Sequence, residues 1–449
     1  MGINTGNNII KRINVGSNVI SRAFLGSVKI YDQLDYPTLD LNFAATKSLD
    51  PRITFTRASS GTYFDSNGVL QTATVNTPRF DHNPVTKESL GLLIEEQRTN
   101  LLTYSEQFDN AAWMKSNSSV TANATTAPNG SMTADKLVEN TANSAHSVHL
   151  VTPSLISGTP YTFSLYAKAS EAGRFLAIAI GGTAYASVQT VAFTLSGAGS
   201  FSILGGTAAT ASIVSIGNGW YRCIITSTAQ ASGTGLLVYY LSTSGTSGAG
   251  LTYTGNGTSG IFIWGAQLEA GAFPTSYIPT TTATATRAVD VATMTGTNFS
   301  SWYRQNEGTL FAAYRSGGRT ASYRVLSMNI ADDFRDVIEF VGATGGGTGP
   351  ILFTRVANIN KATAPPSPVP AAIANFNYTM AGSYSADGVF ASRNGATTEQ
   401  SANGEYPTGL TRLFIGSGNA SQQQISGHIR RIAYYPRRLA NTELQLLTS

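Results

Sequence analysis

The chain has 449 residues, of which only 12% are charged, while glycine fills 45 positions and Tyr and Phe 20 each. That mix excludes a helical bundle or coiled coil, and a hydrophobic share of 42% excludes global disorder. The net charge is +4 with a pI near 9.0. No dense Lys/Arg run is interleaved with aromatics, so no nucleic-acid partner is expected.

Short turn-bounded stretches of β-branched and aromatic residues point instead to an all-β chain. No stretch of about 18 apolar residues exists, so no membrane insertion is expected. The start, Met1 to Gly6, lacks a secretory core and fits no myristoylation pattern, which predicts synthesis in a cytosol without processing. One cysteine, Cys223, excludes an intrachain disulfide. Its neighbours, Trp220 to Ile225, read as a strand, so a buried structural thiol is expected.

Residues 1–35 repeat. Gly6, Gly16 and Gly26 are ten apart, each followed by a mostly β-branched stretch: Ile9-Ile10-Lys11-Arg12, Val19-Ile20-Ser21-Arg22 and Val28-Lys29-Ile30-Tyr31. One strand plus one turn fits that period, predicting a three-strand meander. So small a sheet must pack on something else. It is either a flap on its own subunit or an attachment segment, in which Ile9, Ile10, Val19, Ile20, Phe24, Leu25 and Tyr31 would make the contacts. Asn14-Val15-Gly16-Ser17 and Phe24-Leu25-Gly26-Ser27 resemble the short N-terminal repeats of bacteriophage tail and virion-surface proteins. The resemblance implies docking onto other virion proteins.

Residues 36–110 read as a connector. Phe55 to Leu70 predicts a hairpin turning at Asn67-Gly68. With Pro78-Arg79-Phe80-Asp81 and Gly91 to Leu102, this run resembles a block of phage and prophage virion proteins that precedes a carbohydrate-binding-type jelly roll. Glu95 and Glu96 are adjacent, so on a strand they point to opposite faces and cannot flank one substrate bond. They are expected to pair with Arg79 or Arg98.

Residues 111–280 predict a sandwich. Strands are expected at Ser147 to Val151, Tyr161 to Ala167, Phe175 to Ile180, Gln189 to Thr194, Ser212 to Ile216, Tyr221 to Thr226, Leu236 to Leu241 and Gly260 to Gln267, separated by Ser-Gly, Gly-Gly and Gly-Asn-Gly turns. Trp113, Thr133 to Leu137, Gly219-Trp220-Tyr221-Arg222, Trp264 to Glu269 and Pro274 to Thr280 follow the order of pieces in jelly-roll carbohydrate-binding modules, which this stretch resembles. Trp220 and Trp264 are expected in the core. Tyr239 and Tyr240 are neighbours on a strand, so one should face inward and the other outward, where it could stack on a sugar.

A Thr/Ala-rich linker at 281–297 leads to a second sandwich at 298–449. Strands are expected at Gly308 to Tyr314, Tyr323 to Met328, Val337 to Val341 and Leu413 to Gly416. Trp302 and Tyr303 form another adjacent aromatic pair and a candidate sugar contact. The end, Gly427-His428-Ile429 through Leu439 followed by a short helix near Asn441 to Leu447, resembles the closing strand and helix of concanavalin A-like and laminin-G-like sandwiches. Ala440 occupies the usual Ser position, leaving Asn441 as the expected N-cap. Arg430, Arg431, Arg437 and Arg438 could meet an anionic glycan, a subunit or solvent.

Chemistry is sparse. No nucleophile elbow, zincin helix or P-loop pattern exists. His146 and His149, three apart on a strand, should face opposite sides and cannot share a metal. Asp332, Asp333 and Asp336 form an acidic group without a D-x-D-x-D-G loop; it reads as a solvated turn or a calcium site. No other cofactor is expected. The resemblances together imply a phage virion surface protein that is not an enzyme. It would be a tail fibre or receptor-binding appendage attaching to host-surface glycans, trimeric by analogy with phage fibres. The alternatives are a head fibre, capsid decoration or adaptor with a structural role, and a polysaccharide depolymerase.

Overall fold

A computed structural model describes residues 36–206, 209–318, 322–330, 334–343, 350–364, 375–401, 405–420 and 422–449, together with the backbone of four short strands before residue 33. The chain is nearly all β and divides into two compact units, one formed by residues 55–290 and the other by residues 1–54 and 291–449. No helix of the described residues is long and apolar enough to cross a membrane.

Two six-stranded antiparallel sheets form the sandwich of the 55–290 unit. One runs Met114–Ser116, His146–Leu155, Gly233–Ser242, Phe175–Gly182, Gln189–Thr194, Ser200–Gly205. The other runs Ser118–Thr125, Ala134–Glu139, Gly260–Ala270, Pro160–Ala169, Trp220–Thr228, Ala209–Gly217. All eight strands expected here are present. Side chains alternating from both inner faces, among them Leu137, Phe163, Leu165, Ile178, Phe193, Ile225, Leu237 and Leu268, fill the space between the sheets. The Cys223 thiol lies in this core, and burial raises its pKa well above the ordinary value.

The second sheet is covered on its outer face too. Leu70, Ala127, Tyr166, Ile216, Trp220, Trp264 and Tyr277 form a separate cluster there. Gly265 makes this possible. It has φ +65 and sits where one residue of Pro160–Ala169 faces two of Gly260–Ala270, a bulge. A Cβ at Gly265 would meet the Tyr166 ring at 2.9 Å. The extra residue shifts the alternation. Ile261 and Ile263 face the sandwich core, Trp264 faces outward, and Ala266 and Leu268 face the core again. Without the bulge, Gln267 would take the core position.

The expected connector is not one piece. Its first part, with the strand Leu39–Leu41, belongs to the unit that also holds the C-terminal sandwich; from Phe55 onward it belongs to the jelly-roll unit. The predicted hairpin is there: Gly61–Phe64 pairs with Leu70–Ala73, Gly68 takes φ +72, and the Asp65 carboxylate accepts the N–H groups of Asn67 and Val69.

In the other unit, one sheet runs Glu399–Ser401, Gly388–Arg393, Asn377–Ser385, Gly308–Arg315, Gly427–Tyr435, with Leu39–Leu41 against the last strand. The second runs Ile359–Ala364, Ile351–Val356, Val337–Ala343, Tyr323–Asn329, Arg412–Ile415, Val291–Thr295. The helix Asn441–Thr448 closes the unit and buries Leu444. Its N-cap is Ala440, not Asn441. Ala440 has no side-chain acceptor, so the end is held from the other direction: the Glu443 carboxylate accepts the Ala440 N–H at 2.6 Å.

The N-terminal strands differ from the expected meander. Ile13–Val15 pairs with Asn18–Ile20, and Arg22–Leu25 with Val28–Asp32. The four strands pair two by two, in place of the expected three strands at a ten-residue period. Ile9 and Ile10, and the side chains of Val19, Ile20, Phe24, Leu25 and Tyr31, lie outside the described residues.

Candidate functional site

The polar residues that mark the 55–102 block converge in a buried ionic knot. Arg57 Nη1 meets Asp290 Oδ1 at 3.2 Å. Arg79 bridges Asp290 at 2.5 Å and Glu95 Oε2 at 2.7 Å, and Arg287 reaches the same Glu95 oxygen at 3.0 Å. All five side chains are at most 5% exposed. Burial by itself would raise the Glu95 pKa. Arg287, Arg79 and the Ser276 N–H and hydroxyl overcome it and hold the carboxyl far below the usual carboxylate range. Glu96 bridges Arg98 instead; both glutamates lie in the connection between the strands Ser89–Ile94 and Arg98–Asn100, not on a strand as expected. The buried Asn100 amide is satisfied four times: it donates to the carbonyls of Ala266 and Ile278 and accepts the N–H groups of Leu102 and Leu268. These contacts fasten both ends of the unit to the sandwich. Among the described residues only the Nε atoms of Arg79 and Arg287 stay unpaired in the knot, and both are buried, so it is structural.

An open cleft of about 760 Å³ lies in the same unit. One wall is the turn 106–110, carrying Glu106, Asp109 and Asn110; another is Pro279 to Ala285; the third comes from Ala122, Asn123, Thr133 and Asp135. A bulge between Thr121 and Thr125 creates the third wall by lifting Asn123, at φ +53, out of the Ser118–Thr125 ladder. Asp135 braces that bulge. Its Oδ1 accepts the Asn123 N–H at 2.9 Å and its Oδ2 the Phe108 N–H at 2.8 Å. Burial raises the Asp135 pKa, against these main-chain donors.

Glu106 is half-buried against the outer aromatic cluster. Tyr277 donates its hydroxyl to Glu106 Oε1 at 3.0 Å, and Ser105 joins the Tyr277 hydroxyl at 2.7 Å. Burial raises the Glu106 pKa, opposed by the Tyr277 and Trp264 donors, and the Asp135 charge raises it further. Among the described residues, no aromatic ring, histidine, lysine or arginine lines the cleft; its surface carries carboxylates, amides and hydroxyls. Such a surface hydrogen-bonds a polyhydroxylated ligand and has no nucleophile–base pair for covalent chemistry. Asp135, with both oxygens taken by main-chain donors, is not placed as the second carboxylate of a glycosidase pair.

The residues expected to contact sugar stand elsewhere. Tyr239 is 1% exposed, stacked on Trp113 at 5.6 Å, so it is a core residue and offers no platform. Tyr240, on the opposite face of the same strand, is half-buried. Trp302 is also buried: its ring lies 5.0 Å from Tyr434 and 4.8 Å from Phe299, and its indole N–H donates to the Asn298 carbonyl. Tyr303 is half-buried in the same cluster. In each pair one ring is enclosed, Tyr239 on its strand and Trp302 in the turn after the helix Thr297–Ser300, because large rings supply the area that a packed interior needs.

The four arginines do not form one anion site. Arg430 is the extra residue of a bulge, since Ala313 faces Arg431 and Tyr314 faces Ile429. Arg431 chelates Asp40 at 2.8 and 2.9 Å, Arg437 chelates Glu443, and Arg438 lies 4.1 Å over the Phe390 ring. Asp332 and Asp333 fall outside the described residues, while Asp336 accepts the Ala357 N–H at 2.8 Å. Among the described residues, no group of three His, Cys, Asp or Glu is arranged to hold a metal ion. His146 is buried between the carbonyls of Asn117 and Tyr253.

Neither Glu106 nor the cleft carries a sequence signal. Asp135 does carry one, as a carboxylate at a buried position in an alternating strand.

No family model matches the chain, and no curated protein matches it. Among solved structures, the chain is similar to the CBM40 of a Ruminococcus gnavus IT-sialidase bound to α2,3-sialyllactose, with 16% identity over 34% of this chain and 87% of that one and a TM-score of 0.29. It is similar to domains LG4-5 of the mouse laminin α1 chain, with 11% identity over 67% of this chain and 93% of that one and a TM-score of 0.21. It is also similar to a Trypanosoma rangeli sialidase in complex with the inhibitor DANA, with 9% identity over 75% of this chain and 62% of that one and a TM-score of 0.24. Likenesses of this size carry no argument about ligand or reaction.

Proposed function

We propose that this chain is a structural protein of a bacteriophage particle, displayed on its surface as a tail fibre or receptor-binding appendage that holds host-surface glycans without cleaving them. The cleft in the 55–290 unit carries the glycan part of the reading. It is concave, open and lined by oxygen and amide groups suited to sugar hydroxyls. The phage part rests on the sequence resemblances of residues 1–35 and 55–102. Weak single-site binding would be multiplied by copy number, as a trimer on a particle supplies. In this reading residues 1–35 dock the chain onto other virion proteins.

A glycan array with the purified chain, paired with inhibition of phage adsorption, tests the reading. Binding and inhibition that both fall on Asn123→Ala substitution in the cleft wall are expected. An array with no signal, alongside particles that still incorporate the protein, would favour a head fibre, decoration or adaptor. Release of reducing ends from host polysaccharide would make it a depolymerase. Particles that still incorporate a chain lacking residues 1–35 would remove the docking role.

A further inference from the structure

A second pocket, of about 240 Å³, lies in the 55–290 unit and shares no lining residue with the large cleft. Its walls are apolar. Phe64 and Val69 come from the hairpin of Gly61–Phe64 and Leu70–Ala73, Pro128 from the segment before Ala134–Glu139, and Ile216 and Trp220 from the last two strands of the second sheet. The Leu70 N–H donates to the Pro128 carbonyl at 3.0 Å and fixes the hairpin there. The Trp220 indole N–H donates to the Thr126 carbonyl at 3.2 Å, so its polar edge is already satisfied.

One charged side chain lines these walls. Lys168 is on the outer face of the sheet with Tyr166, two residues away, and is paired across the ladder with Trp220. Its stem lies over Gly219, where a Cβ would meet Cε at 3.4 Å and Cδ at 3.7 Å. Lys168 is half-buried, and its ammonium has no hydrogen-bond or ion-pair partner among the described residues. A cation so placed has lost part of its water without gaining a counter-charge. A second cation flanks the pocket. Lys87, at φ +64, folds its ammonium back onto the Pro84 carbonyl at 2.5 Å and against Gly68, another lining residue; it too has no carboxylate partner among the described residues. No carboxylate among the described residues lines the pocket, and the exposed Thr126 and Asn218 add a hydroxyl and an amide. These walls suit an anion with an apolar side. A volume of about 240 Å³ is below the about 300 Å³ at which drug-sized sites begin, so the pocket admits one sugar ring and not a chain of them.

We propose that this pocket takes a single uronate residue of a glycan, with the carboxylate on the Lys168 ammonium, the C–H face of the ring against Phe64 and Val69, and ring hydroxyls on Thr126 and Asn218. The inference rests on the glycan reading but uses a site apart from the cleft that carries it, and it adds the charge of the sugar.

Calorimetric titration of the full chain with trigalacturonate and with its methyl-esterified form tests it, since esterification removes the charge and keeps the rings. The acid should bind about tenfold tighter than the ester, as a charge-assisted hydrogen bond predicts, and the margin should shrink in high salt. Lys168→Gln should remove the margin and Lys168→Arg should keep it. Lys87→Gln should weaken the acid by about twofold, as a flanking surface charge does. Asn123→Ala, in the wall of the large cleft, should leave binding of the acid unchanged. Equal binding of acid and ester, or a margin that survives Lys168→Gln, overturns the proposal. So does displacement of the acid by an equal concentration of inorganic phosphate, which would make this an unspecific anion site. Silence from both trimers overturns it as well, and the glycan array with Asn123→Ala then decides the reading of the cleft on its own.

Discussion

Two groups of arginines, one in each unit, are used in opposite ways. In the 55–290 unit, Arg57, Arg79 and Arg287 are buried and share Asp290 and Glu95, with Ser276 completing the Glu95 shell. In the other unit, Arg431, Arg437 and Arg438 stay at the surface, each with its own local partner in Asp40, Glu443 or the Phe390 face. A buried charge must be matched almost completely, since water cannot make up a missing partner. A surface charge loses little when its partner goes, because water and salt replace it. The first arrangement makes a fixed scaffold of which no member is dispensable; the second is a set of separable contacts.

Asp290→Asn should break the comparison most clearly. It strips the shared counter-charge from two buried guanidiniums and is expected to cost about 3–5 kcal/mol. Urea unfolding followed by tryptophan fluorescence measures it, and a loss below about 1 kcal/mol would mean the knot is not the closed unit described here. Asn100→Ala comes next, at about 2–3 kcal/mol, because it orphans main-chain groups of both the sheet and the 278 segment.

A third test uses pH. Glu139 is buried, which would raise its pKa, but Arg174, Tyr253 and the Asn256 N–H hold it at about 2. A carboxyl depressed in the folded state stabilises above its unfolded value near 4.5, and that contribution fades as pH falls towards 2. Arg174→Gln should therefore flatten the acid limb of the stability profile. An acid limb of unchanged steepness would count against the pairing.

Arg431→Gln should cost at most about 1 kcal/mol, and less in high salt. A loss matching that of Asp290→Asn would erase the distinction between the two arginine sets. Tyr239→Phe is the smallest expected change. The Tyr239 hydroxyl is buried without a partner among the described residues, so its removal should leave stability unchanged or raise it slightly, as thermal unfolding would record.

Local chemistry made much of this molecule readable in advance. Alternation from Tyr161 to Ala167 and the Gly-Asn-Gly turn before Trp220 marked strands that exist, since side-chain alternation and positive-φ turns are properties of a few neighbouring residues, although that first strand is buried on both faces. Glu95 and Glu96 do take different partners, Arg79 and Arg98, but in the connection after Ile94 and not on a strand. Alternation separated Tyr239 from Tyr240 on their strand, the first buried in the core and the second half-buried on the other face, although period two gives the face and not the depth of cover. Trp302 misled for the same reason: only packing against Phe299 and Tyr434 shows that its ring is enclosed.

What the amino-acid order determined alone was the element type, most strand positions, the absence of a disulfide within the chain and the side to which each neighbouring residue turns. Three outcomes waited for the tertiary structure: Arg57, Arg79, Glu95, Arg287 and Asp290 closing on one another, residues 36–110 dividing between two units, and Glu106 facing the same hollow as Asp135. Such pairings join positions up to 233 residues apart. Their energies depend on burial and distance, which no local pattern encodes.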